Sequence, residues 1–475
     1  MDAPVPSPEE LGRVHVLAVG GAGMSAVARL LLASGVQVSG SDARDSEVLR
    51  GLSGEGVRTF VGHDPAHVAD ADTVVISSAI REDNVELVEA RARGVRVLHR
   101  SQALASVMSG HRSVAVAGAN GKTTTSSMLA TALSHAGVDP SYAIGGELVA
   151  TGTNAALGGG DLFVAEADES DGSFLVYHPE VAVVTNIQPD HLDFYGTFSQ
   201  VKEAYLAFGR TVPHGGTLVA CADDPGSAEF AVRMTDGRAR MVTYGEAEGA
   251  EVRIEGVSFD GLESSATLVH EGRRHALHLS VPGRHNVANA AAAFAAAHIG
   301  MGVPAEAVLR GLSAFRGARR RFEVKGESAG VRVVDDYAHN PGKVAAVVET
   351  AARIARPGRL VVVFQPHLYS RTRDFAREFG RALSGADLVV VTDVYGARED
   401  PIPGVDGRTI VAEIDRGSAV RVEYIEQLAQ VPGYVVSVVR PGDLVVTVGA
   451  GDVTTAGPRI LQLLAGQKSD EHSAR

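Results

Sequence analysis

Short apolar runs alternate along the first part of the chain with longer segments of helical character. The run at residues 14–19 ends at a glycine-rich turn, and a helical segment follows over 24–33. Further apolar runs at 73–77 and 95–98 are separated by segments of the same helical kind. Regular alternation of strand and helix is typical of a parallel sheet with helices on its faces. We therefore expect such a sheet over roughly residues 12–100.

The same pattern begins again twice. The first restart is an apolar run at 113–117, followed by a glycine-rich turn and a helix that extends to about residue 136. Residues 240–282 instead alternate apolar and polar positions, which predicts antiparallel strands. The second restart follows a basic stretch at 319–321. Four buried strands are predicted there, at 331–334, 360–364, 388–392 and 444–448.

These patterns predict an α/β protein of three domains. We expect an N-terminal Rossmann-like domain over residues 1–108 and a central domain over 109–316 that combines a parallel sheet with a small antiparallel sheet. Residues 317–475 are expected to form a second Rossmann-like α/β domain. The length of 475 residues allows this division, because a domain usually has ~100–200 residues.

Charge and cysteine content narrow the class of protein. Lys and Arg number 44 against 57 Asp and Glu, and the resulting net charge of −13 argues against a nucleic-acid partner. The one cysteine, Cys221, cannot form an internal disulfide, which favours a reducing compartment. No apolar run reaches the ~18 residues of a membrane span, and the first residues lack a signal-peptide pattern. We expect a cytoplasmic protein without membrane insertion, and no oligomeric state is predicted.

The strongest chemical motif lies between the predicted strand at 113–117 and the helix that follows it. A glycine-rich turn at a helix N-terminus directs backbone N–H groups at phosphate oxygens, a lysine reaches the β- and γ-phosphates, and a threonine hydroxyl ligates Mg²⁺. The spacing is GxxGKT, shorter than the usual GxxxxGKT. The alternative is an exposed turn with a threonine-rich helix cap. The predicted ATP-binding residues here are Gly118, Ala119, Asn120, Gly121, Lys122, Thr123 and Thr124.

Two acidic segments follow the next strands and are candidates to complete this site. One covers residues 166–171 and the other 189–193, and each comes directly after an apolar run. The carboxyl ends of parallel strands line the ligand crevice, and carboxylates there can hold Mg²⁺. His191 is an unusual magnesium ligand and is an alternative contact for phosphate or a metal-bound water. Solvated acidic loops are the other interpretation of both segments.

A second glycine-rich turn follows the first strand of the chain. Gly20 and Gly23 match the later glycines of a dinucleotide fingerprint, whereas Ala18 stands at the first position. Asp42 lies 19 residues beyond Gly23, at the end of the next apolar run, where an acid would meet a ribose hydroxyl. The pattern predicts binding of a nucleotide diphosphate without specifying NAD. A tight packing turn is the alternative.

Further polar clusters lie later in the chain. Asn286 and Asn289 are three residues apart and face one side of an alanine-rich helix, so their carboxamides are candidates for contacts with adenine. Capping of the helix by Asn286 is the alternative. The arginines at 319–321 are either a solvated run or a source of charge for a transferring phosphoryl group. Residues 335–341 and 364–373 follow predicted strands, which favours a substrate site there.

Taken together, these segments resemble the Mur ligase family over about residues 12–460. The family's glycine loop, ATP loop, EADESD, NI.PDHLD, HNxxNA, RRF and FQPHxYSRTRDF segments are matched here at 20–25, 118–125, 166–171, 186–193, 285–290, 320–322 and 364–375. The last of these segments marks the branch that adds L-alanine. The resemblance implies that ATP activates the lactyl carboxylate of UDP-N-acetylmuramate as an acyl phosphate, which the amine of L-alanine then attacks, with Mg²⁺ present.

The resemblance also assigns roles to individual residues. Catalysis is assigned to Lys122, Glu166, His191 and Arg321, and the metal shell to Thr123, Glu166 and His191. Further ATP contacts are assigned to Asn286, Asn289, Arg320 and Asp336. UDP-sugar binding is assigned to Gly20, Gly21, Gly23, Asp42, His63 and Ser78, and amino-acid binding to His339, His367 and Arg371.

The chain departs from the family pattern at several positions. Ala18 replaces a glycine and predicts a slightly more open first loop, Asn340 replaces a histidine, and Leu368 stands where an arginine is frequent. A related ligase that adds a tripeptide to the same sugar nucleotide is the nearest alternative. A nicotinamide-dependent dehydrogenase would explain only the first glycine loop and not the loop at 118–125, and a non-catalytic nucleotide sensor would not need a second substrate domain.

Overall fold

The computed structural model describes residues 5–235, 237–397, 399–414 and 420–473. The chain divides into two compact units, Met1–Arg316 and Gly317–Arg475. The first unit holds two sheets and the second unit holds one. Mixed α/β structure with three sheets confirms the predicted fold class. Within the described residues, no helix combines the length and the apolar character that a membrane span requires.

The first sheet has five parallel strands and lies at the start of the first unit. Its strands are β1 (Val14–Leu17), β2 (Val38–Asp42), β3 (Arg58–Val61), β4 (Thr73–Ile76) and β5 (Arg96–His99). Its helices are α1 (Ala22–Ala33), α2 (Glu47–Glu55), α3 (Val85–Ala92) and α4 (Arg100–Met108). The order β3-β2-β1-β4-β5 reverses between β1 and β4. Ligands of such sheets bind beyond the strand ends at this reversal, where the first glycine loop lies.

The second sheet, also in the first unit, has ten strands. They are β6 (Arg112–Ala117), β7 (Ser141–Ala143), β8 (Ala155–Ala156), β9 (Leu162–Glu166), β10 (Val181–Val184), β11 (Thr217–Cys221), β12 (Arg240–Gly245), β13 (Val252–Asp260), β14 (Glu263–His270) and β15 (Arg273–Leu279). The helices are α5 (Lys122–His135), α6 (Leu192–Tyr195), α7 (Phe198–Thr211), α8 (Pro225–Arg233), α9 (Arg284–Phe294) and α10 (Ala305–Ala314). The predicted antiparallel strands, β13 to β15, extend the parallel strands in one continuous sheet.

Strand β6 is central to the position of the site. It pairs in parallel with β10 on one side and β9 on the other, and β6 is buried from its second residue onward. Burial on both faces explains why these strands are nearly continuous runs of valine and alanine. The carboxyl ends of β9, β6 and β10 are therefore adjacent, which brings together the acidic segments and the phosphate loop that follow them.

The second unit contains the third sheet. Its strands are β16 (Glu323–Ser328), β17 (Val331–Asp336), β18 (Leu360–Phe364), β19 (Leu388–Val391), β20 (Arg421–Tyr424) and β21 (Leu444–Val448). Its helices are α11 (Pro341–Ala355), α12 (Tyr369–Asp374), α13 (Ala376–Leu383), α14 (Gly407–Glu413), α15 (Val431–Val438) and α16 (Ala456–Ser473). The order is β16-β17-β21-β18-β19-β20, with β16 as an antiparallel edge. The ends of β17, β21 and β18 thus lie side by side.

Candidate active site

The loop between β6 and α5 depends on two glycines. Gly118 has a φ of +140° and Gly121 a φ of +87°, values that other residues rarely adopt. A Cβ at position 118 would lie 1.9 Å from Oγ1 of Thr185, and a Cβ at position 121 would lie 2.6 Å from Oδ1 of Asn289. The loop is therefore packed tightly against neighbouring segments, and its shape requires glycine at both places.

The end of β10 fixes the middle of the same loop. The backbone N–H of Asn120 donates to Oδ1 of Asn186 at 2.9 Å, and the Asn186 amide donates back to the Asn120 carbonyl at 2.9 Å. The Thr185 hydroxyl donates to that same carbonyl at 2.6 Å. Sequence reasoning did not single out Asn186 as a site residue. Asn186 could have been identified from its place just beyond β10, a buried strand that pairs with the strand before the loop.

Lys122 begins α5 and is almost enclosed, with 14% of its side chain exposed. Its ammonium donates to Oε1 of Glu169 and to the Gly118 carbonyl, both at 2.8 Å. Burial alone would lower the pKa of Lys122, but the charges of Glu169, Asp168 and Glu166 outweigh it and raise the pKa. The lysine is therefore a fixed positive charge at neutral pH.

Glu169 is the carboxylate that sequence reasoning missed. It lies three residues beyond Glu166 in the predicted acidic segment, and only 3% of its side chain is exposed. Its Oε2 is buried and makes no hydrogen bond within the described part of the chain. An enclosed lysine requires a charged partner, so Lys122 itself indicated that a carboxylate would pair with it, but not which carboxylate of the acidic segment. Burial raises the pKa of Glu169, although Lys122 opposes this effect.

Glu166 lies beside the first turn of α5. Its Oε1 accepts a hydrogen bond from the Thr123 hydroxyl at 3.2 Å, and its Oε2 accepts one from the Gly145 N–H at 2.7 Å. Thr124 follows on α5 and is half-buried. The predicted pair Thr123 and Glu166 is thus in contact, with two oxygen atoms adjacent beside the phosphate loop.

His191, at the start of α6 beyond β10, lies close to the carboxylate of Glu169. Its Nε2 lies 3.9 Å from Oε1 of Glu169, and 28% of its side chain is exposed. The backbone of His191 has a φ of +53°, and the hydroxyl of Tyr195 donates to the Glu169 carbonyl at 2.5 Å. Lys122 and His191 therefore converge on Glu169 from two neighbouring strand ends.

The oxygen atoms near the loop fit a hard divalent cation. Across the described ranges, no three His, Cys, Asp or Glu side chains form a ready-made metal centre. Mg²⁺ at a phosphate site needs only one or two carboxylates because substrate phosphates and water complete its shell. Thr123 and Glu166 suit this role, and the orphaned Oε2 of Glu169 lies in the same site.

Two asparagines on α9 adjoin the loop. Nδ2 of Asn289 donates to Oδ1 of Asn286 at 3.2 Å, and Nδ2 of Asn286 donates to the Pro282 carbonyl at 2.7 Å. Asn286 does not cap the helix, because α9 is preceded by Gly283 at the N-cap position. Both asparagines are buried, and Asn289 lies against Gly121.

The first glycine loop lies between β1 and α1. The N–H of Gly20 donates to Oδ2 of Asp42 at 3.0 Å, so the predicted acid contacts the predicted loop. Gly21 has an ordinary φ of −69°. A Cβ at position 23 would lie 2.7 Å from Nη1 of Arg100. Ala18 adopts a φ of +53°, so alanine takes the left-handed conformation that glycine prefers.

His63 follows β3 and Ser78 follows β4, two strands that β2 and β1 separate in the first sheet, and the two residues have different partners. Nδ1 of His63 lies 2.9 Å from the buried Glu86, which also accepts from the Ser41 hydroxyl at 2.6 Å. The Ser78 hydroxyl donates to Asp171 of the acidic segment and lies 3.1 Å from Nε2 of His99. His63 is therefore oriented by an internal carboxylate, whereas Ser78 connects the two sheets of the first unit.

In the second unit, Asp336 organises the turn after β17. Its carboxylate accepts the backbone N–H groups of Phe322 and Ala338 at 2.8 and 2.7 Å. Burial raises the pKa of Asp336 to about 6, against the opposing charge of Arg321. Arg320 and Arg321 lie near the same turn. Nη2 of Arg320 donates to two backbone carbonyls just beyond β21. The guanidinium groups of Arg320 and Arg321 lie 4.7 and 5.1 Å from the ring centroid of Tyr337.

The predicted amino-acid residues lie beyond β17 and β18 of the same unit. The rings of His339 and His367 are 5.9 Å apart, and Nδ1 of His339 lies 2.8 Å from the Tyr337 carbonyl. Burial lowers the pKa of His339 well below its usual value, and the charges of Lys343 and Arg371 add to this effect. His339 is therefore neutral at pH 7, and Arg371 supplies positive charge nearby.

Three family models match successive parts of the chain. The model described as "Mur ligase family, catalytic domain" matches residues 13–112, and "Mur ligase middle domain" matches residues 116–297. "Mur ligase, glutamate ligase domain" matches residues 320–451.

Whole-length relatives agree with these models. The UDP-N-acetylmuramate–L-alanine ligase of Kineococcus radiotolerans is 57% identical over 458 residues, which cover 96% of this chain and 97% of that protein. The crystal structure of the UDP-N-acetylmuramate–alanine ligase of Thermotoga maritima is similar with a TM-score of 0.82 and 30% identity, covering 96% and 99% of the two chains. A murein peptide ligase from Psychrobacter arcticus gives a TM-score of 0.71 and 25% identity over 96% and 99%.

The fold and the site define a class of protein, the α/β enzymes with a phosphate loop. In this chain a buried lysine and the carboxylates around it lie at the carboxyl ends of adjacent parallel strands. The matched models and the identity across nearly the whole chain narrow that class to one family. The chain belongs to the Mur ligase family.

Proposed function

We propose that this chain joins L-alanine to the lactyl carboxylate of UDP-N-acetylmuramate and cleaves ATP to ADP and phosphate. The substrates are those named for the relatives that match nearly the whole chain. The observation that carries the reaction type is the enclosed Lys122, held between the phosphate loop and Glu169. Activation of a carboxylate by ATP brings several negative charges together, and a fixed ammonium stabilises them.

The residues of the phosphate loop are assigned to ATP. The loop from Gly118 to Thr124 would bind the phosphates, with Lys122 at the terminal phosphoryl group. Mg²⁺, when bound by Thr123 and Glu166 with His191 close by, would neutralise phosphate charge. Asn286 and Asn289 would bind the adenine side of the nucleotide.

The phosphorylated carboxylate would then be attacked by the amine of L-alanine, and phosphate would leave. We assign Gly20, Gly21, Gly23, Asp42, His63 and Ser78 to the sugar nucleotide and residues 1–108 to its domain. In the domain proposed for residues 317–475, Arg371 would hold the alanine carboxylate beside His339 and His367. Arg320, Arg321 and Asp336 are proposed for ATP, with Asp336 acting through the turn that it organises. The use of ATP supports a cytoplasmic location.

A tripeptide-adding ligase is the second candidate, because a murein peptide ligase shares the fold. The greater similarity to the L-alanine ligase from Thermotoga maritima favours L-alanine as the substrate. The two candidates differ in one substrate, so a single assay distinguishes them.

The test measures phosphate release from ATP and Mg²⁺ with UDP-N-acetylmuramate and either L-alanine or the tripeptide. We expect release only with L-alanine, together with a product whose mass equals that of the sugar nucleotide plus one alanyl residue. Omission of each substrate in turn is the control. Release that ignores the identity of the amino acid, or release only with the tripeptide, would contradict the proposal.

A further inference from the structure

The acidic segment after β9 directs its side chains to two sides. Glu166 and Glu169 face the phosphate loop, where they contact Thr123 and Lys122. Asp168 faces the first sheet instead and accepts a hydrogen bond from Arg100. One segment of the chain thus contacts the surroundings of both glycine loops, and the contact on the first-loop side has no role in the proposed function.

Arg100 is held in a defined orientation at the start of α4. Its Nη2 donates to Oδ2 of Asp168 at 2.6 Å, and 26% of its side chain is exposed. Its Nη1 faces the first loop, since a Cβ at Gly23 would lie 2.7 Å from this atom. In the part of the chain that the structure describes, Nη1 makes no hydrogen bond. The guanidinium therefore has one edge bound to a carboxylate and another turned toward the glycine loop.

The hydrogen bond of 2.6 Å from Nη2 to the Asp168 carboxylate holds the Arg100 side chain in this orientation. A fixed guanidinium beside a glycine loop can bind an anion with little loss of side-chain entropy.

We propose that Arg100 binds the anionic part of the sugar nucleotide at the first glycine loop and that Asp168 is its positioning residue. This inference rests on the proposed function, which assigns that loop to UDP-N-acetylmuramate. The loop leads into the N-terminus of α1, where backbone N–H groups favour a diphosphate. The diphosphate is therefore the expected partner of Nη1, and the lactyl carboxylate is the other anionic group on the same ligand.

The experiment measures by calorimetry the binding of three ligands to the full chain without ATP. The ligands are UDP, UDP-N-acetylglucosamine and UDP-N-acetylmuramate, of which only the last carries the lactyl carboxylate. We expect Arg100→Met to weaken all three by about tenfold to hundredfold, because a charge-assisted hydrogen bond is lost. If the variant lost affinity only for UDP-N-acetylmuramate, Arg100 would still bind the ligand, but its contact would be with the lactyl carboxylate and not with the diphosphate. Equal affinity of wild type and variant for all three would overturn the inference.

Asp168 is tested by a double variant. Asp168→Asn should weaken binding less than Arg100→Met, and the double variant should bind no more weakly than Arg100→Met alone, because the aspartate acts through the arginine. In turnover, Arg100→Met should raise the KM for the sugar nucleotide and leave the KM for ATP within about twofold. Additive losses in the double variant would remove Asp168 from the proposal.

Two controls keep the outcomes distinct. Arg112→Met removes another arginine that is paired with a carboxylate, Glu180, away from both loops, and should bind all three ligands normally. Arg100→Lys, which retains the charge, serves if Arg100→Met does not fold, and it should still bind more weakly than wild type. If wild-type protein bound none of the uridine ligands, the proposed function itself would fail, whereas wild-type binding with unaffected variants would contradict only the role of Arg100.

Discussion

The two glycine loops of the first unit occupy equivalent places, each between a parallel strand and the helix after it, yet they differ in charge. The loop from Gly118 to Gly121 is followed by Lys122, which is enclosed and paired with Glu169. The loop from Gly20 to Gly23 carries no charged side chain of its own and contacts Asp42 and Arg100 from elsewhere in the chain. Similar backbone turns therefore differ in where their charge comes from: the second is followed directly by its own lysine, where phosphoryl transfer is proposed, whereas the first has charged neighbours only from other elements of the chain.

Substitution of Lys122, which follows the second loop, should give the largest effect of the variants considered, a loss of turnover. Lys122→Met should lower kcat about 10³-fold, because the fixed positive charge at the transferring group is lost. The affinity for the sugar nucleotide, measured by calorimetry, should stay within about twofold of wild type because that ligand is assigned to the other loop.

Lys202→Met provides the matched control, since Lys202 forms an ion pair with Glu229 on the surface of the same unit. Its activity should equal that of wild type. Loss of sugar-nucleotide binding in Lys122→Met would show that the two loops do not act separately.

Replacing one glycine by alanine in each loop tests whether the stability of the fold depends on glycine at that position. Gly118→Ala should lower the free energy of unfolding by about 3 kcal/mol, since it combines a forbidden φ with overpacking against Thr185. Gly21→Ala should change it by less than about 0.5 kcal/mol, because φ is ordinary and the nearest atom, the Ala18 carbonyl oxygen, is 3.5 Å from the new Cβ. Urea unfolding measures both values. Equal losses of unfolding free energy in the two variants would contradict the claim that only Gly118 is required by the backbone and its packing.

The sequence predicted the fold class because its apolar runs mark strands that are buried on both faces. The edge strands β3 and β8, and the strand β7 beside β8, were not predicted, since all three are short and β3 is largely exposed. Edge strands receive their structure from pairing with a neighbour, which local pattern does not encode. The single ten-stranded sheet was likewise not evident, because β12 pairs with β13 only over residues 244 and 245.

In the site, the position of Lys122 followed from its motif, whereas its partner did not. Glu166 and Glu169 both stood in the predicted acidic segment, and only the path of the chain beyond β9 decides which of them reaches the lysine. The Arg100–Asp168 contact joins residues 68 positions apart, so no local pattern could reveal it. The assigned roles of the other site residues stay predictions.

Glu86, the buried carboxylate on α3, should matter for the stability of the folded chain. Burial would raise the pKa of Glu86, but His15, whose Nε2 lies 3.8 Å away, and the hydrogen bonds with Ser41, His63 and His67 outweigh it and lower the pKa to about 2. Glu86→Gln should lower the free energy of unfolding at pH 7 by about 3 kcal/mol, since each pKa unit corresponds to about 1.4 kcal/mol.

The stabilisation that Glu86 contributes depends on pH. A depressed carboxyl pKa stabilises the folded state above its unfolded value of 4.5, and this contribution is lost as the pH falls toward about 2. The difference between wild type and Glu86→Gln should therefore be constant from pH 7 to pH 5 and shrink below pH 4.5. Urea unfolding at several pH values measures it, and a difference that grows with acidification would be the wrong sign.

Ala18 gives the smallest expected effect and the sharpest contrast between the loops. The second loop uses glycine at its left-handed positions, whereas the first places alanine at a φ of +53°. Left-handed alanine costs about 1–2 kcal/mol in the folded state, and the extra freedom of glycine in the unfolded chain offsets about 0.4–1 kcal/mol of that. Ala18→Gly should therefore raise the free energy of unfolding by about 0–1.6 kcal/mol. Ala22→Gly, at the right-handed start of α1, should lower it slightly. If both variants were destabilised, Ala18 would have to contribute packing that outweighs its strained backbone, and the first loop would owe its shape to side-chain contacts as much as the second does.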